Sequence, residues 1–204
     1  MKLILASASP RRAQILRDAG LRFELKRATV SERRKRGETA RIMTRRLARA
    51  KARAIVKKLG KEPPEGIVIG ADTIVEVNGE LLGKPQSPRA AREMLMKLGG
   101  RIHRVVTSVV AIRVPDYAET TETESTRVRF AALTTKEIAE YVATGEPLDK
   151  AGAYAVQGIG GRFIEKIEGC YFNVVGLPLA RLYHMLIDLG WHPAAPSGRG
   201  KNAG

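Results

Sequence analysis

Residues 66–82 read G-I-V-I-G-A-D-T-I-V-E-V-N-G-E-L-L, and their interpretation decides the fold. Gly66 to Ala71 is a short apolar run of the kind that forms a buried strand, which puts Asp72 at its C-terminal end. Val75 to Val77 and Leu81-Leu82 flank Asn78-Gly79, a pair that supplies the positive φ angles of a tight hairpin. A buried strand needs layers packed on it, so the flanking sequence should supply helices.

It does so on both sides. Upstream, Glu38 to Leu59 has helical periodicity, with Met43, Leu47, Ala50 and Ala54 on one stripe. Further upstream, Lys2 to Ala6 reads as a strand, Ser9-Pro10 as a cap with proline at the first helical position, and Pro10 to Ala19 as a helix stopped by Gly20. Leu21 to Leu25 reads as another strand. Downstream, Ser87-Pro88 opens a helix to Leu98. Arg101 to Val114 and Glu119 to Ala132 read as an antiparallel pair rich in Thr and Val. Thr134 or Thr135 caps a helix to Ala143, and Gly145 to Gly161 is a Gly-rich polar loop. Arg162 to Ile167 reads as a strand and Pro178 to Leu189 as a last helix. The expected fold is α/β: a mixed, elongated, twisted sheet with helices on both faces and two lobes around a central cleft. Residues 1–190 form the domain, and 191–204 a tail expected to be disordered.

Length and composition agree with a single body of this kind: 204 residues, 44% hydrophobic, suffice for a substantial core. No apolar run approaches the roughly 20 residues of a bilayer span, and the start is too short and too soon polar for a signal peptide. A cytoplasmic location is the resulting expectation, without a membrane partner. The single cysteine, Cys170, excludes an intramolecular disulfide and a thiolate metal site. Aromatic residues at 5% argue against a nucleic-acid module built on stacked rings. The net charge of +15 is uneven: from Lys26 to Lys58, fourteen Lys and Arg stand against Glu32 and Glu38 alone. Such a stretch either lines a site for an anion, touches nucleic acid, or is a solvated helix face.

Four segments carry chemistry. In Ser7 to Arg12, S-A-S-P-R-R, a helix N-terminus offers free N–H groups and partial positive charge. Small hydroxyl residues there let the backbone approach an anion, and Arg11 and Arg12 add forked donors. The plain alternative is an N-cap with two surface arginines. No G-x-x-x-x-G-K-[ST] occurs, which sets aside a P-loop enzyme. Asp72 at a strand end can hold a divalent metal or activate water, or simply cap a turn. Lys84 in G-K-P is either a cation placed near Asp72 or a surface lysine. In the loop G-E-P-L-D-K-A-G-A-Y-A-V-Q-G at 145–158, Gln157 carries a donor and an acceptor suited to a base edge, or else satisfies backbone groups.

In seven segments the chain resembles the Maf family of nucleoside triphosphate pyrophosphatases, also known as the septum-inhibition family. They are L-I-L-A-S-A-S-P-R-R at 3–12, L-A-R-A-K-A at 47–52, G-A-D-T-I-V at 70–75 and G-K-P at 83–85, followed by H-R-V-V-T at 103–107, the loop at 145–158, and G-C-Y-F-N-V-V-G-L-P-L at 169–179. They occur in the family's order and cover about residues 2–190. The resemblance implies hydrolysis between the α and β phosphates with a divalent cation, Mg²⁺ or Mn²⁺. It implies Asp72 as proton acceptor, and Ser7, Arg12, Lys51 and Lys84 as phosphate contacts. Glu32 and Asp72 would hold the metal. The family's acidic D-x-D-E segment reads T-V-S-E here, so Thr29 and Ser31 stand in place of carboxylates and only Glu32 remains. Lys51 falls on the edge of the stripe described above, within reach of a cleft. Arg11, Thr73 and Gln157 match the residues tied to base choice in the branch that acts on dTTP and UTP, which implies a house-cleaning role on pyrimidine nucleotides, modified ones included.

Two other functions are carried alongside. One is a pyrophosphatase for modified purine nucleotides, which would need a different base pocket. The other is a nucleic-acid-binding regulator of division, suggested by the basic stretch but disfavoured by the scarcity of aromatics. The sequence leaves the oligomeric state open, a homodimer included.

Overall fold

The computed structural model describes residues 1–193, so most of the expected tail lies outside the described residues. The elements are β1 (Lys2–Ala6), α1 (Pro10–Asp18), β2 (Phe23–Lys26), α2 (Ala40–Lys58), β3 (Gly66–Val77), β4 (Glu80–Leu82), α3 (Pro88–Leu98), β5 (Ile102–Val114), β6 (Glu119–Phe130), α4 (Thr135–Ala143), β7 (Ile164–Glu168), α5 (Tyr171–Val175) and α6 (Leu179–Asp188). Short 3-10 turns at Glu146–Asp149, Ala151–Ala153 and Ile159–Phe163 occupy the Gly-rich loop. The short helix α5 has no counterpart in the sequence reading, because five residues are too few to establish a 3.6-residue period.

Seven strands make one mixed sheet in the order β2-β1-β3-β5-β6-β7, with β4 folded back onto β3. β1 runs parallel to β2 and β3, whereas β5, β6 and β7 continue antiparallel from β3. The sequence ends the central strand before Asp72, but β3 continues without interruption to Val77. It does so because every residue from Gly66 to Glu76 is paired with β5, down to Glu76 opposite Arg104. Asp72 and Thr73 are polar residues carried inside that ladder.

Strand alternation sorts the core. Leu3, Leu5, Ile67, Ile69 and Ala71 face α1 and α6, while Ile4, Ala6 and Val68 face α2. Each fully buried Leu or Ile of this kind contributes roughly 1.5–3 kcal/mol. Gly70 makes the contact with α2 close: a Cβ there would lie 2.3 Å from the carbonyl oxygen of Ala48. The second lobe is built around the far end of the same strands. Val75, Val77, Val105, Val128 and Phe130 pack there against α3, α4, Tyr154 and Phe163.

Two expectations are corrected by packing. The buried face of α2 runs through Met43, Thr44, Leu47, Ala48, Lys51, Ala52 and Ile55, not along Met43, Leu47, Ala50 and Ala54. Small Ala48 and Ala52 are what allow close approach to β3, so the helix turns them inward and takes Lys51 with them. At the other end, Trp191, assigned by sequence to the tail, is 9% exposed and closes the core against α6. Among the described residues, no helix is long and apolar enough to cross a membrane.

Candidate active site

The edge of β3 that faces β1 is paired only in part. β1 accompanies it from Gly66 to Gly70, and β4 takes over at Val75. Between these points Asp72 and Thr73 lie on an unpaired stretch of strand, and the chain leaving β1 at Ser7 turns into that gap. A cleft of about 360 Å³ opens there between the lobes. Ser7, Arg11, Arg12, Glu32, Lys51, Asp72, Thr73, Lys84 and Gln157 all line it. Every site residue expected from the sequence is therefore drawn to one cavity, although they come from six separate parts of the chain.

The N-terminus of α1 forms one wall. Ser9 holds the N-cap position in extended conformation, but its hydroxyl makes no capping hydrogen bond. Thr39, Ser87 and Thr134 do cap α2, α3 and α4. The caps expected at Ser87 and Thr134 thus form, whereas the one expected at Ser9 is left open on the helix that points into the cleft. Ser7 Oγ instead accepts from Ser9 N at 3.1 Å, which tightens the turn. Arg12 is 8% exposed. Its Nε donates to the carbonyl of Gly176 at 2.7 Å, its Nη2 to Thr73 Oγ1 at 2.9 Å, and its Nη1 to Ser7 Oγ at 3.5 Å. Arg11 reaches across the cleft to Asp149, with Nη1 3.1 Å from Oδ2. Gln157 and Lys84 stand exposed at the rim.

The opposite wall carries the charge. Asp72 is 6% exposed and Lys51 8% exposed. Lys51 Nζ lies 2.6 Å from Asp72 Oδ1 and 2.6 Å from Glu32 Oε1. Burial pushes the Asp72 carboxyl above the ordinary Asp value, against the pull of Lys51 and then of Arg12. Burial acts the same way on half-exposed Glu32, but there the hydrogen bond and charge of Lys51, with Lys84 and Arg12 behind, prevail and lower it. Burial lowers Arg12 as well, which makes its guanidinium a desolvated donor. A buried carboxyl shifted upward is the condition of a general base working near neutral pH.

The donor set can be tested against a divalent cation. Among the described residues no three His, Cys, Asp or Glu converge, so there is no cage for a resident ion. Two carboxylates do fit Mg²⁺, which is commonly held by one or two carboxylates together with substrate phosphates and waters.

Several residues around the site were not singled out by sequence reasoning. Gly176 ends α5 with φ of 124°, and its carbonyl fixes Arg12. Thr107 and Asn173, both fully buried, lie behind Thr73. They stand in segments quoted above, but an isolated Thr or Asn has no periodic signal to mark it. Glu38 and Arg46 clip the loop that follows Glu32.

Comparison with known proteins gives a match to Maf, described as Maf-like protein, over residues 2–189. The chain is 48% identical over 190 residues to the dTTP/UTP pyrophosphatase of Koribacter versatilis (strain Ellin345), covering 93% of this chain and 95% of that protein. It is 46% identical over 209 residues to the dTTP/UTP pyrophosphatase of Anaeromyxobacter sp. (strain Fw109-5), covering 100% and 98%. The protein of the same name from Carboxydothermus hydrogenoformans is 44% identical over 191 residues, with 94% and 100% covered.

Proposed function

The chain belongs to the Maf family, and on that premise we propose that it is a nucleoside triphosphate pyrophosphatase acting on dTTP and UTP. It hydrolyses the bond between the α and β phosphates and releases a nucleoside monophosphate and pyrophosphate. Its substrate is the free nucleotide, which places its work in the cytoplasm.

The observation that carries this reading is the cleft itself, where hydroxyl, guanidinium, ammonium and a buried carboxylate face one cavity of about 360 Å³. The open end of α1, Ser7, Arg12 and Lys84 bind the triphosphate. Lys51 holds Asp72 Oδ1, which leaves Oδ2 to take a proton from water. The water oxygen attacks the α phosphorus, its proton passes to Asp72, and the bond to the β-phosphate oxygen breaks with pyrophosphate leaving. Arg12 and Lys51 offset the charge that builds on the phosphoryl oxygens, in a site dry enough for such contacts to count strongly. Glu32 and Asp72 would hold a divalent cation, Mg²⁺ or Mn²⁺, which would supply further charge neutralisation. Arg11, Thr73 and Gln157 choose the base.

Turnover of UTP with Mg²⁺ in ¹⁸O-labelled water tests the reading. The label should enter UMP, and the second product should be pyrophosphate. Release of orthophosphate and UDP would overturn it.

A further inference from the structure

The turn that carries Gln157 is held from behind on both of its sides. Gln157 itself is exposed, so packing does not place its amide, and its direction rests on the backbone around it. Tyr141 and Glu146 pin that backbone. Ahead of Gln157, Tyr141 Oη accepts from Ala155 N at 3.2 Å. Beyond it, Glu146 accepts from Ile159 N on Oε2 at 2.9 Å and from Gly160 N on Oε1 at 3.0 Å. The two holders are joined, because Tyr141 Oη donates to Glu146 Oε1 at 2.7 Å. Burial pushes the Glu146 carboxyl up, but the bonds from Gly160, Tyr141 and Ile159 prevail and hold it below the ordinary Glu value. It is therefore an ionised group that only accepts. The contact is close: a Cβ on Gly158 would lie 2.2 Å from Glu146 Oε2, and one on Gly160 2.5 Å from Tyr141 Oη. Tyr141 is fixed in turn, completely buried and edge-on to Phe163 with ring centroids 5.2 Å apart.

The main chain of Glu146 anchors the other side of the base pocket. Lys150 Nζ donates to the Glu146 carbonyl and to Asp149 Oδ1, each at 2.6 Å, and Asp149 Oδ2 accepts from Arg11 Nη1 at 3.1 Å. Gln157 and Arg11 thus both trace back to Glu146, one through its carboxylate and the other through its carbonyl. Neither Glu146 nor Tyr141 lines the cleft, so their effect on a nucleotide passes through other residues. Uracil and cytosine differ by an exchange of donor and acceptor, and an amide on a loose turn can present either of its edges to either base. Discrimination therefore needs the turn held still. We propose that Glu146 and Tyr141 are positioning residues for base choice: they fix the peptides on either side of Gln157 and thereby the direction in which its amide meets the base. The inference rests on the reading of Gln157 as a base contact.

Nucleotides that cannot be cleaved read base choice without turnover. The α,β-methylene analogues of UTP and CTP are titrated by calorimetry into the wild type and into Gln157→Ala, Glu146→Gln, Tyr141→Phe and the double variant Glu146→Gln/Gln157→Ala. Glu146→Gln keeps the size of the side chain but has one oxygen where the carboxylate had two, so a peptide N–H of the turn loses its acceptor. Loss of that charge-assisted bond should lower the ratio of UTP-analogue to CTP-analogue affinity roughly tenfold. Tyr141→Phe keeps the ring but releases Ala155 N, and should lower the ratio in the same direction. In the Gln157→Ala background, Glu146→Gln should change the ratio little further, because the side chain it acts through is gone. Affinity for inorganic tripolyphosphate, which has no base, should stay at the wild-type value in Glu146→Gln and Tyr141→Phe, whereas a general loosening of the fold would weaken it as well. A ratio lowered by Gln157→Ala but untouched by Glu146→Gln would overturn the inference alone, as would an undiminished effect of Glu146→Gln in the Gln157→Ala background. A ratio untouched by Gln157→Ala would remove Gln157 from the base, and the inference with it. If Glu146→Gln does not fold, Tyr141→Phe carries the test, and an unchanged ratio there overturns the inference.

Discussion

Lys51 Nζ lies 2.6 Å from Asp72 Oδ1, and the same ammonium lies 2.6 Å from Glu32 Oε1. One cation thus balances both carboxylates of the cleft, and Asp72 and Lys51 are each almost fully buried. Breaking a buried pair by deleting one partner typically costs about 3–5 kcal/mol, because the other charge is stranded. The two sides of this pair differ, however. Asp72→Asn leaves Lys51 with Glu32, so the fold should survive. The amide cannot take a proton from water, and loss of a general base typically lowers the rate ~10²–10⁴-fold. The variant should melt close to the wild type in thermal denaturation and release almost no pyrophosphate. Retention of more than about a tenth of the rate would remove Asp72 from the base role.

The same pair sets a pH dependence. A base works only when deprotonated, so kcat/KM must fall as pH drops through the value of Asp72. Burial raises that value, and Lys51 is the strongest influence pulling it down. Lys51→Met should therefore shift the acid limb of kcat/KM to higher pH, whatever it does to the plateau. The position of the limb is read from a pH–rate profile with UTP. A limb that stays in place or moves to lower pH would show that another group titrates there.

A second prediction on pH concerns the loop after Glu32. Arg46 grips Glu38 with Nε on Oε1 at 2.5 Å and Nη2 on Oε2 at 2.7 Å, and Lys35 N adds a third bond at 2.8 Å. The hydrogen bond from Arg46, then that from Lys35, hold the Glu38 carboxyl down at about 2, against an ordinary value of 4.5. A carboxyl lowered by folding stabilises the native state above its unfolded value, and that contribution is lost as pH falls towards the folded one. Wild type should therefore exceed Glu38→Gln in stability by a constant margin near neutrality. The margin should shrink below about pH 4.5 and close near pH 2. Urea titrations across that range measure it, and a margin independent of pH would mean the clip contributes nothing through charge.

The sequence resolved the sheet and the long helices because their signals are periodic and their stops are chemical. Asn78-Gly79 and Ser87-Pro88 sit where the structure has a turn and a cap. It misplaced what depends on neighbours far along the chain. Asp72 reads as a strand end because it is polar, yet β5 pairs straight past it. Lys51 reads as a stripe edge because Ala50 and Ala54 count as apolar, yet Gly70 draws Ala48 and Ala52 inward. A hydrogen-bond chain behind Arg12 joins residues 73, 107, 126 and 173, and no local pattern announces a contact between β3, β5, β6 and α5.

The basic segment at Arg33 to Arg36 is exposed, and what ties it down is mostly backbone: the carbonyl of Arg33 accepts from Arg46, and Lys35 N donates to Glu38. Replacing the four side chains with Ser or Gln keeps those bonds and should change stability by no more than ~0.5 kcal/mol. They follow directly on Glu32 at the cleft, so their field should draw a polyanion towards it. The replacement should lower kcat/KM at low ionic strength and leave it nearly unchanged at high salt, where charges are screened beyond ~10 Å. Equal rates at every salt concentration would reduce these residues to a solvated surface.

Base selection is the most exacting prediction. Uracil and thymine present two carbonyl acceptors flanking an N3–H donor, whereas cytosine presents an amino group and an unprotonated N3. Gln157 has both an acceptor and a donor to match the former. Arg11 adds donors, and Asp149 orients them from across the cleft at 3.1 Å. A site of matched hydrogen bonds rejects a mismatched partner by up to ~10⁴–10⁵ when fully dry. Gln157 is exposed at the rim, so water softens the mismatch, and the expected ratio of kcat/KM for UTP over CTP is on the order of 10². Gln157→Glu removes the amide donor and adds a charge, and should bring the ratio towards one. Asp149→Asn should lower it less, since it loosens Arg11 without removing a base contact. A wild-type ratio near one would refute the pocket, whereas a high ratio that survives Gln157→Glu would leave Arg11 and Thr73 as the discriminating residues.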